Sequence, residues 1–163
     1  MKRLKNALTW LLVAIALILL GGKKKKPKDK IYTYKDVEDV LNKKLGKKTF
    51  LYVVDEKYYI PTLDEINEFL SWWVKFLVSE KIKYISDFFD CDNFSLLFAA
   101  MCLIKAKFHS AIANSYTHSY NMVVYRNGDE LDVVVIEPQL GKTMTVDKAS
   151  EKEDYKTVFV YYT

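Results

Sequence analysis

Residues 119–136, SYNMVVYRNGDELDVVVI, hold the pattern that decides the fold. Two runs rich in β-branched and aromatic residues flank the pair Asn127-Gly128. Asn-Gly between such runs is typical of a two-residue hairpin, because both central positions of a type I′ turn need positive φ. The sequence therefore predicts an antiparallel hairpin, and a further run at 156–162 predicts a third strand.

The register of this hairpin predicts which side chains meet. With Asn127 and Gly128 as the loop, His118 lies directly opposite Glu137. Opposed residues share a sheet face and have Cβ atoms about 4.5 to 5.5 Å apart, so the imidazole and the carboxylate come within hydrogen-bond reach. An ordinary cross-strand polar pair is the alternative interpretation. The apolar side chains on the same face are expected to pack on the helix that begins near Cys91.

Helices are predicted before the hairpin. Residues 62–65 follow Pro61 in capping-box form, and the apolar residues after them recur at helical spacing, which predicts a helix from 62 to about 79. Residues 87–105 open with acids and continue as an apolar run, which predicts a central helix with Cys91 in its first turn. The expected fold class is α+β, with N-terminal helices and a central Cys-bearing helix packed on a small antiparallel sheet.

The first 30 residues differ in charge from the rest of the chain. They hold nine Lys or Arg and one acid, which leaves 16 basic and 20 acidic residues elsewhere. With more acidic than basic residues, this part of the chain lacks the basic surface that binds nucleic acid, so no nucleic-acid partner is predicted. Half of all residues are hydrophobic, which is enough for residues 31–163 to form one folded domain.

Residues 1–22 predict a membrane segment. Positions 7–20, ALTWLLVAIALILL, include Thr9 as their one polar residue, and 4–22 reach about the length that spans a bilayer. An uncleaved single-pass transmembrane helix is favoured over a cleaved signal peptide or a buried core helix, because lysines follow at once and no small-x-small cleavage site precedes them. The basic linker at 23–30 favours a membrane-bound protein with a cytoplasmic body.

The two cysteines have different surroundings. Cys102, beside Met101 and Leu103, is expected to be a small hydrophobic residue of the core. Cys91 lies at a helix start, where the helix dipole favours a thiolate and neighbouring acids oppose it. In one helix the two lie roughly 16 Å apart, so they are not expected to form a disulfide.

A thiol, an imidazole and a carboxylate together predict nucleophilic chemistry. Cys91 is the candidate nucleophile, His118 its base, and Glu137 the group that orients the imidazole. Gln139 or Asn121 could donate a hydrogen bond to a developing oxyanion, and Gln139 is preferred because Asn121 lies on the other strand face.

Calcium is the candidate cofactor. The acids of the first turn are either a solvated helix cap or a cation site, and a bound cation would relieve their repulsion. Asp92 and Asn93 are the candidate metal ligands.

Three short strings support this interpretation: DCDNF at 90–94, HSYN at 118–121 and IEPQ at 136–139. In order and spacing they resemble the C-terminal peptidase domain of the Marasmius oreades agglutinin and its small phage and microbial relatives, over about residues 58–142. The resemblance implies a papain-like fold, a Cys-His-Glu triad and calcium-dependent peptidase activity. The agglutinin's lectin domain is absent here, so sugar binding is not implied.

The sequence therefore predicts a membrane-anchored cysteine hydrolase with papain-like fold, acting on a peptide or protein substrate through a thioester on Cys91. One alternative is a non-catalytic, membrane-displayed binding module on the same fold. The other is a cell-wall amidase, which would require the body of the protein to lie outside the cell.

Overall fold

The computed structural model describes residues 31–46 and 49–162. It contains eight strands: β1 Ile31–Thr33, β2 Phe50–Val53, β3 Lys57–Tyr59, β4 Ala111–Asn114, β5 Ser119–Asn127, β6 Glu130–Glu137, β7 Lys142–Thr145 and β8 Phe159–Tyr162. The α-helices are α1 Tyr34–Leu45, α2 Leu63–Ser79, α3 Cys91–Met101 and α4 Val146–Ser150. A π-helical turn, Cys102–Ala106, continues α3, and a 3-10 turn, Glu153–Tyr155, follows α4.

Six strands form one mixed sheet in the order β2-β8-β4-β5-β6-β7. Every neighbouring pair is antiparallel except β2 and β8, which run parallel. Strands β1 and β3 form a separate antiparallel pair. The sheet is therefore larger than the small antiparallel sheet that was predicted. It is also not purely antiparallel, because β2, from the first half of the sequence, pairs in parallel with β8.

Helix starts follow the capping signals of the sequence. Thr62 Oγ1 accepts a hydrogen bond from Glu65 N at 3.3 Å, and Glu65 Oε2 accepts one from Thr62 N at 2.8 Å. This reciprocal pair satisfies two backbone N–H groups that the first turn leaves without partners. The helix predicted from 62 to about 79 is confirmed as α2, Leu63–Ser79.

The hairpin turn lies one residue later than predicted. Asn127 pairs with Glu130, so the two loop residues are Gly128 and Asp129. Only Gly128 has positive φ, +64°, the pattern of a type II′ turn with glycine first, whereas the predicted type I′ turn needs two such residues. The tight hairpin is confirmed, and its predicted register is wrong by two positions.

This shift changes how His118 reaches Glu137. Beyond the pair Asn121 and Ile136, the register places Tyr120 opposite Glu137. His118 therefore approaches Glu137 diagonally and not from directly across the strand. A shift of two positions keeps both side chains on the face that was predicted, because strand side chains alternate with a period of two.

Each face of the sheet carries its own core. The face we call the α1 face packs Met122, Val124 and Val135 against α1 and α4. The α2–α3 face packs Val123, Val134 and Ile136 against α2 and α3. The expectation that the Cys91 helix packs on the same face as His118 is wrong, and with it the layout predicted for a papain-like domain.

No helix in the described ranges is long and apolar enough to cross a membrane. For the described residues, this finding contradicts the prediction of a single-pass membrane protein. The anchor predicted at 1–22, its membrane contact through 4–22 and the linker at 23–30 lie outside the described residues.

Candidate functional site

A buried carboxylate lies at one corner of the α1 face. Glu137, at the end of β6, is 6% exposed. Its Oε2 accepts a hydrogen bond from His118 Nε2 at 2.8 Å and another from the Tyr155 hydroxyl at 2.7 Å. Gln139 N donates a longer bond of 3.4 Å to Oε1. We call His118, Glu137 and Tyr155 the corner cluster.

Aromatic rings hold the imidazole of the corner cluster in place. The Tyr155 ring meets the His118 ring edge-on at 5.2 Å, and the Tyr120 ring stacks on it at 5.8 Å. The Tyr120 hydroxyl is itself bonded to Thr157 Oγ1 at 2.5 Å and to Tyr155 O at 3.0 Å. Rings packed on two sides fix the plane of the imidazole, and the carboxylate fixes its rotation.

Hydrogen bonding keeps the Glu137 carboxylate ionised in spite of its burial. Burial alone raises the pKa of a carboxyl group, but the hydrogen bonds from His118 and Tyr155 oppose this effect. The net result is a Glu137 pKa below its usual value. Burial and the bond to this carboxylate raise the pKa of Tyr155, so its hydroxyl remains protonated and keeps donating.

The loop before β5 carries His118 and an exposed aromatic residue. Ser115 Oγ accepts hydrogen bonds from Thr117 N at 3.2 Å and His118 N at 3.0 Å, which closes a tight turn. Thr117 Oγ1 donates to Asp154 at 2.9 Å and ties this turn to the segment that carries Tyr155. Tyr116, at the tip of the turn, is 90% exposed and lies two residues from His118.

The second imidazole nitrogen is available to a ligand. With Nε2 bonded to Glu137, a neutral imidazole carries its proton on Nε2 and leaves a lone pair on Nδ1. Within the described ranges no hydrogen bond reaches His118 Nδ1. The side chain is 17% exposed, so in its neutral form His118 offers a fixed hydrogen-bond acceptor near the surface.

Cys91 does not join the corner cluster by a hydrogen bond. It opens α3, is half-buried, and lies on an element that packs against the α2–α3 face. Its carbonyl accepts a hydrogen bond from Ser95 Oγ at 2.8 Å. In the described part of the chain no hydrogen bond links its sulfur to His118.

Asp92 and Asn93 serve the start of α3. Asn93 Oδ1 accepts from Asp90 N at 3.2 Å, and Asp92 Oδ1 accepts from Asn93 N at 2.8 Å. The described residues contain no group of three or more His, Cys, Asp or Glu suited to a metal ion. Calcium binding stays a prediction, which a titration of calcium into the protein would test.

Asn121 and Gln139 have different positions. Asn121 is fully buried on the α2–α3 face, where its Nδ2 donates to Ser95 O and Ala111 O, both at 3.0 Å. It therefore ties α3 to β4 and lies on the other side of the sheet from His118. Gln139 borders the corner cluster through its backbone N–H.

Two residues of the site were missed by sequence reasoning. Tyr120 lies two residues after His118. Because side chains alternate along a strand, the sequence alone could have placed Tyr120 on the same face as His118. Tyr155 arrives in a 3-10 turn 18 residues after Glu137, and no local pattern signals its contact.

Comparisons with known proteins show similarity at the level of structure. No family model matches the chain, and no curated protein matches it. One similar solved structure is described as a PSL1a-E64 complex, with TM-score 0.60 and 24% identity over 80% of this chain and 50% of that chain. Another is Polyporus squamosus lectin bound to the human-type influenza-binding epitope Neu5Aca2-6Galb1-4GlcNAc, with TM-score 0.57 and 24% identity over 80% and 49%.

These neighbours correct the functional prediction. Both are chains of a fungal lectin, one of them holding a glycan, so the predictions of a papain-like fold, a cysteine hydrolase or amidase, and a peptide substrate are wrong. The chain spans about half the length of the solved chains that it matches. Its fold is that of a fungal agglutinin-like chain.

Proposed function

We propose that this protein is a non-catalytic binding module and that its ligand is a carbohydrate bound at the corner cluster. The observation that carries the proposal is a surface imidazole, held rigidly by a buried carboxylate, beside a highly exposed tyrosine. The glycan in one structural neighbour supports carbohydrate as the ligand class.

The chemistry of the corner suits a ligand rich in hydroxyl groups. Nδ1 of His118 accepts a hydrogen bond from a sugar hydroxyl, and its direction is fixed because Glu137 and the tyrosine rings hold the imidazole. The exposed ring of Tyr116 provides an apolar face for the C–H groups of a pyranose. A few fixed polar groups next to an aromatic surface are typical of small-molecule sites.

Rigidity favours binding because the site loses little freedom when the ligand arrives. Thr117 and Asp154 already join the two segments of the corner, so its geometry is set before binding. Glu137 Oε2 already accepts hydrogen bonds from His118 and Tyr155. The carboxylate therefore orients the imidazole and does not contact the ligand itself.

A glycan panel tests the proposal. The full chain is applied to immobilised glycans that include sialylated and unsialylated lactosamines, and affinities for any hit are measured by calorimetry. We expect binding that His118→Phe weakens at least ten-fold, because phenylalanine keeps the ring and removes the acceptor. Tyr116→Ala should weaken it less, because one stacking contact is lost.

Matched variants distinguish the corner from general damage. His109 also lies beside a carboxylate, with Nδ1 3.7 Å from Asp55 Oδ2, but at a different place in the fold, so His109→Phe controls for His118→Phe. Tyr34, which is 51% exposed on α1, controls for Tyr116. Failure to bind any glycan, or equal weakening by the His118 and His109 variants, would overturn the proposal.

A further inference from the structure

A cavity of about 210 Å³ opens on the α1 face, and His118 is not among the described residues that line it. It lies between the end of α1, the middle of β5, α4 and the segment 155–157. Its innermost wall is apolar, since Met122, Val146 and Ala149 are all buried. Tyr155 forms another part of the wall, so the cavity lies directly behind the corner cluster.

The cavity has a cationic and hydroxylic edge. Lys44, Lys156 and Ser150 line it, and no carboxylate is among the described residues of its wall. Two acids lie just behind the lysines: Asp132 contacts Lys44 Nζ at 2.7 Å, and Glu153 contacts Lys156. Each ammonium has three N–H donors and the acid uses one, so donors remain for a ligand.

The Lys44 ammonium is the better placed of the two cations. Its side chain is 32% exposed, and the short contact with Asp132 restricts where the ammonium can go. Lys156 is 58% exposed and pairs with an acid that is 81% exposed, so it can turn toward a ligand at little cost. An anion at the edge would therefore meet one fixed and one adjustable ammonium group.

We propose that this cavity binds a small amphipathic carboxylate, with its apolar part against Met122, Val146 and Ala149 and its carboxylate between Lys44 and Lys156. A cavity of about 150 Å³ holds benzene, so one of this size accommodates roughly eight non-hydrogen atoms. Hexanoate matches that size and chemistry. This site takes a different ligand from the corner cluster and does not depend on the function proposed above.

Calorimetry on the full chain with four probes tests the assignment. Hexanoate should bind, and hexan-1-ol should bind at least ten-fold more weakly because it lacks the charge. Acetate should also bind at least ten-fold more weakly because it lacks the apolar part, and hexylamine should not bind. Equal affinities for hexanoate and hexan-1-ol, or no hexanoate binding at millimolar concentration, would overturn the proposal.

Three substitutions locate the site. Lys156→Glu should weaken hexanoate at least ten-fold, whereas Lys148→Glu, an equal change of charge on the exposed side of α4, should leave it unchanged. Ala149→Leu should abolish binding by filling the cavity. Should that variant not fold, a shift of the Met122 methyl resonance on adding hexanoate to the wild type gives the same information. Equal effects of the two lysine variants, or an unmoved Met122 signal at saturation, would show that the anion binds elsewhere.

Discussion

The two faces of the sheet are built from the same strands but differ in what they bury. On the α2–α3 face, Trp73 and Phe98 meet edge to face at 5.3 Å within a continuous aromatic core. On the α1 face the core combines aliphatic side chains with the buried rings of Tyr58, Tyr120 and Tyr162, and it ends in a cavity and the corner cluster. One face is therefore closed by aromatic packing, and the other holds both of the proposed binding sites.

The alternation of β5 produces this division. Tyr120 and Met122 point to the α1 face, whereas Asn121 and Val123 point to the α2–α3 face. Neighbouring residues in one strand therefore serve different purposes. Changes in the core of the α2–α3 face should cost the most stability, and changes at the corner cluster should cost less stability and also affect ligand binding.

The largest expected effect is on the aromatic core. Trp73→Ala removes a fully buried ring and the hydrogen bond from its Nε1 to Pro138 O at 2.7 Å. We expect the free energy of unfolding to fall by about 3 to 5 kcal/mol, measured by urea denaturation. Phe88→Ala, at a position 78% exposed, is the control and should change it by less than about 0.5 kcal/mol. A loss below about 1 kcal/mol for Trp73→Ala would contradict the division between the faces.

A smaller effect is expected at the corner cluster. Glu137→Gln removes the charge that strengthens the hydrogen bonds from His118 and Tyr155. We expect a loss of about 1.5 to 3 kcal/mol at pH 7, measured in the same way. Glu130→Gln, exposed at the start of the same strand, should have almost no effect. If the two variants were equally stable, the ionised carboxylate of Glu137 would not stabilise the fold.

The pH dependence of stability sharpens this point. The folded pKa of Glu137 lies below its ordinary value of about 4.5, so its ionised form stabilises the fold above that pH. This contribution is lost as pH falls through the lowered folded pKa. The gap in unfolding free energy between wild type and Glu137→Gln should therefore shrink as the pH falls below about 4.5. If the gap widened toward low pH, the folded pKa of Glu137 would lie above its ordinary value and not below it.

The smallest effect belongs to the turn. Gly128→Ala places a side chain at φ +64° and should cost about 1 kcal/mol. Asn127→Ala should cost less, because Asn127 is a strand residue paired with Glu130. Thermal unfolding of both variants measures the difference. A larger cost at Asn127 would favour the turn that the sequence predicted.

Local patterns predicted much of the fold. The capping box at Thr62, the apolar spacing behind it and the glycine of the hairpin all depend on neighbours in sequence, and each led to an element that exists. The exact register did not follow, because types I′ and II′ both accept glycine in a two-residue loop. The partner of each sheet face depends on long-range packing, which is why α3 was placed on the wrong side.

The candidate site was predicted only in part. His118 and Glu137 share a face in either register, so their contact followed from alternation alone. The proximity of Cys91 to His118 was an inference from topology, and the face on which α3 packs is not the one expected. The contact of Tyr155 with Glu137 could not be predicted, because Tyr155 lies in an irregular segment whose sequence has no periodicity.

The reactivity of Cys91 tests the central claim most directly. Iodoacetamide alkylation at neutral pH is followed by mass spectrometry of the Cys91 peptide in the full chain, in wild type, His118→Phe and His109→Phe. Because no hydrogen bond joins the thiol to the corner cluster, we expect the three rates to agree within about two-fold. A fast reaction that His118→Phe slows ten-fold while His109→Phe does not would show thiol and imidazole acting together, and would contradict a non-catalytic binding module.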